Sequence, residues 1–172
     1  MVLQQQIEVA FWGWAKPSST VKIETSWNRK TYKVTSDQEG KWRVKVSTPI
    51  AGGPYEMKLD DGEELVLKDI LIGEVWFCGG QSNMEMPMKG FKSQPIIGSA
   101  EAILKSTNQN IRLYTVPRSS ITEKQDNSKA SQWKLAEPEA VSNFSATGYF
   151  FGKLLSEVLS VPIGIINDSY GG

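Results

Sequence analysis

The hydropathy pattern of this chain changes its period near residue 69, and that change constrains the fold more than any other feature. Before it, Ile7-Glu8-Val9-Ala10-Phe11, Val21-Lys22-Ile23-Glu24, Trp42-Arg43-Val44-Lys45-Val46, Tyr55-Glu56-Met57-Lys58-Leu59 and Leu65-Val66-Leu67 are short segments, most of them alternating. Turn formers separate them: Lys16-Pro17-Ser18-Ser19, Trp27-Asn28-Arg29, Asp37-Gln38-Glu39-Gly40, Gly52-Gly53-Pro54 and Asp60-Asp61-Gly62. A period of two gives each strand one buried and one wet face, so residues 1–68 are predicted to form a small antiparallel β-sandwich domain. Val21 and Ile23 would be core, with Lys22 and Glu24 in water. Asp60-Asp61-Gly62 reads as a hairpin turn rather than a metal loop.

Beyond residue 69 the strands lose their alternation. Residues 70–77 are near-continuously apolar, the pattern of a parallel strand buried on both faces. Residues 95–105 carry Ile96, Ile97, Ala100, Ile103 and Leu104 at helical spacings. Residues 111–116 predict a second strand, stopped by Pro117, and 118–132 a polar loop. Ser145 can cap a helix running to Leu159, with Phe150, Phe151, Leu154, Leu155, Val158 and Leu159 as its buried face. Burial of those side chains would contribute roughly 1.5–3 kcal/mol each before entropy is set against it. Pro162-Ile163-Gly164-Ile165-Ile166 is a third strand. Strand, helix, strand, helix, strand opens a parallel α/β sheet with right-handed crossovers, so 69–172 is expected to be the first part of such a sheet.

Lys plus Arg and Asp plus Glu both number 19, and this zero net charge argues against a nucleic-acid or anionic-membrane surface. No run approaches the roughly 18 apolar residues of a membrane helix. The single cysteine, Cys78, excludes an internal disulfide and, inside an apolar strand, reads as a buried inert thiol. Trp12, Trp14, Trp42 and Trp76 all fall in strand patterns, which favours core packing over sugar stacking. No basic and apolar leader follows Met1. The chain stops on a glycine pair just after an apolar strand, so a fragment, cut at its C-terminus and also at its N-terminus, is expected.

The strand 70–77 empties into Gly79-Gly80-Gln81-Ser82-Asn83. Open α/β folds place ligands at the carboxyl ends of their strands, which makes Ser82 the candidate nucleophile. The strand 162–166 leads to a second glycine pair, Gly171-Gly172, so the two loops can converge on one edge. The amide of Ser82 and one from that pair are natural oxyanion donors, because glycine lets a substrate approach the backbone closely. Asn83 can fix the turn, and Gln81 and Asn83 are candidate substrate contacts. An ordinary strand-to-helix turn accounts for the same pattern. Met84 breaks the G-x-S-x-G elbow, and no G-x-x-x-x-G-K-[ST] phosphate loop occurs. Glu85 reads as a capping or structural carboxylate ahead of a substrate contact. The chain contains no histidine, so the usual activator of a serine hydroxyl is missing.

The block Gly79-Gly80-Gln81-Ser82-Asn83-Met84-Glu85-Met86-Pro87 resembles the nucleophile block of the sialate O-acetylesterase family, in the SGNH-hydrolase superfamily. Met1-Val2-Leu3-Gln4-Gln5 with Val9-Ala10-Phe11-Trp12-Gly13-Trp14-Ala15 looks like that family's N-terminal β region. Phe144-Ser145-Ala146-Thr147-Gly148-Tyr149-Phe150-Phe151-Gly152 and Val161-Pro162-Ile163-Gly164-Ile165-Ile166-Asn167 resemble its later helix and strand, and Gly171-Gly172 its glycine pair. The resemblance implies that Ser82 is the nucleophile of an acetyl ester hydrolase and that Gly171 or Gly172 gives a second oxyanion donor. It also implies that the remaining polar donor and an Asp-x-x-His base lie beyond Gly172, and that the natural start lies upstream of Met1. Asp168 stands where the family has a small neutral residue. Without a histidine to orient, it is no substitute for the missing acid.

The expected whole is a serine carbohydrate esterase acting on O-acetylated sialic acid or another acetylated carbohydrate. No metal, cofactor, nucleic-acid partner or membrane span is called for. Export to a periplasm or cell exterior follows from the resemblance alone. An acetyl-xylan esterase keeps the mechanism and changes the sugar, whereas a non-catalytic carbohydrate-binding or structural fragment is the reading from another class. Lacking histidine, residues 1–172 alone are expected to be inactive, and poorly soluble if the start of the sheet leaves an open apolar edge.

Overall fold

The computed structural model describes residues 1–125 and 127–171. The chain divides into two compact units, one of residues 2–74 and one that begins at Val75, to which Met1 is also assigned. It passes from one to the other inside a single long strand.

The first unit contains β1 (Val2–Gln4), β2 (Glu8–Trp14), β3 (Thr20–Thr25), β4 (Thr31–Thr35), β5 (Lys41–Ser47), β6 (Gly52–Asp60) and the beginning of β7 (Glu64–Gly80). Strands β4, β3, β6 and β7 follow one another as antiparallel neighbours, β1 runs parallel to β7, and β2 pairs with β5 as a separate antiparallel ribbon. Alternation is visible in burial: Val21, Ile23 and Thr25 of β3 are inside, and Lys22 and Glu24 outside. Trp27 Nε1 donates to the Ser47 carbonyl at 2.9 Å and the Ser47 amide to Tyr32 Oη at 3.3 Å, tying the ribbon to the larger sheet. The Asp60-Asp61-Gly62 segment is the predicted hairpin turn: Asp60 pairs with Glu64, and Asp60 Oδ1 accepts from the Gly62 amide.

Only Trp42 of the four strand tryptophans is buried; Trp12, Trp14 and Trp76 are 58%, 55% and 43% exposed, which corrects the core assignment. The parity of β2 explains the first two. Val9, Phe11 and Gly13 take the partly buried side, where Gly13 lies against the Trp42 ring, so Trp12 and Trp14 fall on the solvent side.

The second unit contains the end of β7, α1 (Ser82–Glu85), α2 (Ser99–Leu104), β8 (Asn108–Thr115), β9 (Lys134–Ala136), α3 (Pro138–Ser142), α4 (Ala146–Leu159) and β10 (Ile163–Ser169). The strand order is β7, β10, β8, β9, with β10 parallel to β8 in register from Ile163 opposite Ile111 to Asn167 opposite Thr115. This mixed α/β sheet agrees with the predicted fold class. Short β9, antiparallel to β8, and α3 carry no periodic signal in the sequence. The core gathers Met88, Ile111, Leu113, Val141, Phe144, Tyr149, Ile163 and Ile165.

Three expectations need correction here. Residues 70–77 are not buried throughout: Ile70, Leu71 and Ile72 are inside, but Phe77 is 63% exposed. The helix 95–105 is shorter, starting only at Ser99 because Gly98 in the left-handed region interrupts it. The third concerns α4, whose buried residues are Ala146, Gly148, Tyr149 and Gly152. A Cβ on Gly152 would lie 2.8 Å from Ile165 Cγ1, so the helix meets the sheet along its small side. Leu155 packs partly against the core, whereas Phe150, Phe151, Leu154, Val158 and Leu159 stay exposed. Their expected burial energy is therefore largely absent.

Candidate active site

Three chain segments meet at one end of the second unit's sheet. The first is the exit of β7. Gly80 leaves no room for a side chain, because a Cβ there would sit 2.9 Å from Met84 Cβ. Gln81, with φ −109° and ψ −140°, turns the chain into α1, whose first residue is Ser82. Gln81, Ser82 and Asn83 are all exposed. Helix α4 supports this turn: Thr147 Oγ1 donates to the Asn83 carbonyl at 3.2 Å, the Ala146 amide to the Met86 carbonyl at 2.8 Å, and Ser145 Oγ to Met84 Sδ at 3.4 Å. Ser145 also caps α4, its Oγ accepting from the Gly148 amide.

The second segment is the exit of β10. The Tyr170 amide donates to the Gly80 carbonyl at 3.1 Å, which brings the two glycine-bearing loops together. Gly171 is held so close that a Cβ built on it would be 3.3 Å from Ser82 Cα and would overlap the Glu85 carboxylate. Its amide donates to Glu85 Oε2 at 2.6 Å, so this donor is engaged rather than turned to a ligand. Gly172, the other oxyanion candidate, lies outside the described residues.

The third segment leaves β8. Arg118 forms an ion pair with Glu85 Oε1, and its guanidinium carbon lies 5.2 Å from the centroid of the Tyr170 ring. Glu85 thus joins α1 to both other loops. Its side chain is 17% exposed, while that of Arg118 is 54% exposed. An open cleft of ≈ 550 Å³ adjoins this cluster, lined among others by Pro117, Arg118, Lys129, Asp168, Ser169 and Tyr170.

Cys78 is buried one residue before the glycine pair, and desolvation pushes its thiol above the ordinary value, which agrees with an inert side chain. Asp168 lines the cleft and stands apart from any triad, since the chain has no histidine. Among the described residues no three His, Cys, Asp or Glu side chains cluster in a way that could hold a metal, and no helix is long and apolar enough to cross a membrane. Arg118 is the residue sequence reasoning missed; its one signal was a basic residue directly after the proline that stops β8. The long-range partner of Glu85 carried no sequence signal, because 86 positions separate it from Gly171.

No family model matches the chain. It is 32% identical over 189 aligned positions to the sialate O-acetylesterase of Mus musculus, covering 100% of this chain and 34% of the relative. The Homo sapiens sialate O-acetylesterase is 31% identical, with 100% of this chain and 35% of the relative covered. Among solved structures, a carbohydrate acetylesterase from Xanthomonas citri superposes with a TM-score of 0.90 at 34% identity, over 99% of this chain and 38% of the other. The chain therefore spans about a third of the length of the curated relatives it matches.

Proposed function

The chain belongs with the sialate O-acetylesterases over the third of their length that it spans, and from that kinship we propose that it carries the nucleophile segment of a serine esterase for O-acetylated sugars. One observation carries the reading: an exposed serine at the head of α1, beside a second glycine-bearing loop. In this mechanism Ser82 Oγ attacks the acetyl carbonyl while a histidine from sequence outside these 172 residues takes its proton. The tetrahedral oxyanion is held by the Ser82 amide and the Gly171-Gly172 turn. The Gly171 amide, however, is given to Glu85 in this structure. Collapse returns the proton to the departing sugar hydroxyl and leaves acetyl-Ser82, which water hydrolyses.

The cleft beside the site is lined by the cation of Lys129, which suits a sugar bearing a carboxylate, and also by the Asp168 carboxylate. This favours O-acetylated sialic acid over neutral acetylated xylan. The test is acetate release by the esterase polypeptide that contains this chain. Ser82→Ala is expected to lower kcat by at least about 10³-fold; unchanged turnover would remove Ser82 from the mechanism. Lys129→Ala is expected to raise KM for acetylated sialic acid and leave acetylated xylan unaffected. Equal effects on both would count against the sialate preference.

A further inference from the structure

Resting on the esterase reading above, we infer that Glu85 is a positioning residue that sets the distance between the nucleophile turn and the glycine turn. The carboxylate has two oxygens and uses each on a different loop. Oε2 accepts the Gly171 amide at 2.6 Å, a charge-assisted hydrogen bond of the short, strong kind. Oε1 takes the Arg118 guanidinium, which in turn lies against the face of Tyr170, the residue preceding Gly171. Glu85 sits at the end of α1, the helix that begins with Ser82, and the Met86 amide donates to the Ser82 carbonyl at 3.0 Å. Any displacement of Glu85 is therefore transmitted to the serine turn within one helical turn.

The glycine at 171 fits this role. A side chain there would occupy the space of the Glu85 carboxylate, so the close approach needs a residue without Cβ. With its own amide held by Glu85, Gly171 has its peptide plane fixed beside Ser82. Both oxygens of the Glu85 carboxylate are taken up by protein partners. Glu85 acts through the backbone of Gly171, with Arg118 holding the carboxylate in place. Catalysis of this kind depends on sub-ångström placement, and a displacement of about 1 Å costs on the order of 10²-fold in rate.

The experiment has two arms. In the esterase polypeptide containing this chain, kcat and KM for p-nitrophenyl acetate are measured for Glu85→Ala, Glu85→Gln, Arg118→Ala and Ser82→Ala. Glu85→Ala is expected to lower kcat about 10²-fold with little change in KM. Glu85→Gln keeps an oxygen acceptor for the Gly171 amide and is expected to recover most of that loss. Arg118→Ala, at an exposed position, is expected to give an intermediate loss with the fold intact. In the second arm, glycine-selective ¹⁵N spectra of the chain follow the Gly171 amide. It is expected downfield and protected from exchange, with both properties lost in Glu85→Ala and retained in Glu85→Gln. Wild-type kcat in Glu85→Ala while Ser82→Ala is dead would overturn the inference and leave the esterase reading standing. Turnover surviving in Ser82→Ala would instead bring down the nucleophile assignment, and the positioning role with it. An unprotected Gly171 amide in the wild type overturns the tie directly.

Discussion

At the scale of single residues, the second unit depends on a few positions whose side chains are small or whose polar atoms are spoken for. Gly152 is one: with Ile165 Cγ1 2.8 Å from where its Cβ would be, Gly152→Val must push α4 off the sheet. Overpacking of this kind costs about 1–3 kcal/mol. An unfolding free energy from guanidinium titration lowered by that amount, with an unchanged slope, is the expected result. Ser145 is another, since it holds the Gly148 amide at the start of α4 and is itself buried. Ser145→Ala is expected to cost about 1 kcal/mol through loss of the cap, measured in the same way. Tyr149 and Cys78 share a third property. Burial raises both acids above their ordinary values, with the Glu157 carboxylate adding to the effect at Tyr149. A raised pKa means that the folded state holds the proton more tightly. The stability tied to that proton is fully present below the ordinary values of 9.0 for Cys78 and 10.0 for Tyr149, and it is lost as pH rises through the folded-state values. Tyr149→Phe is therefore expected to lose less stability than the wild type between neutral pH and about pH 11. Parallel pH profiles would contradict that assignment.

At the scale of elements, periodicity located α4 but misassigned its buried face. Helical spacing groups the large apolar residues, yet Gly148 and Gly152 let the helix approach the sheet on its other side, where Tyr149 fills the core. The energetic consequence is specific. Leu154→Ala, at 59% exposure, is expected to change stability by no more than about 0.5 kcal/mol. Tyr149→Ala, at 1% exposure, is expected to cost about 3–5 kcal/mol. The reverse order would restore the amphipathic reading. The loop between β8 and β9 behaves as its polar composition suggests, carrying no secondary structure among its described residues, with Lys124 and Lys129 exposed. Limited trypsin digestion is expected to cut there before it cuts within any strand.

At the scale of the whole molecule, the alternating pattern of β3 belongs to a strand with one buried and one wet face, whereas the continuous apolar run 70–77 is buried at Ile70, Leu71 and Ile72 and exposed at Phe77. Strand existence is a local property, because side chains in water and side chains in a core alternate with the pleat of the chain itself. The same locality made the serine turn legible: an apolar strand that ends in Gly79-Gly80 and a short polar run needs no distant partner to be recognised. The sequence by itself thus determined most of the strand positions, though not β1, β4 or β9 nor the fusion of residues 64–80 into one strand, together with the cap at Ser145 and the placement of Ser82 at a strand end. Tertiary structure alone decided which side of α4 is buried, which tryptophans face water, and what Glu85 is for. Each of those depends on a partner far along the chain, such as Ile165 behind Gly152 or Gly171 beside Glu85. A periodic pattern records how polar a position is, but not which distant atom will come to lie 3 Å away from it.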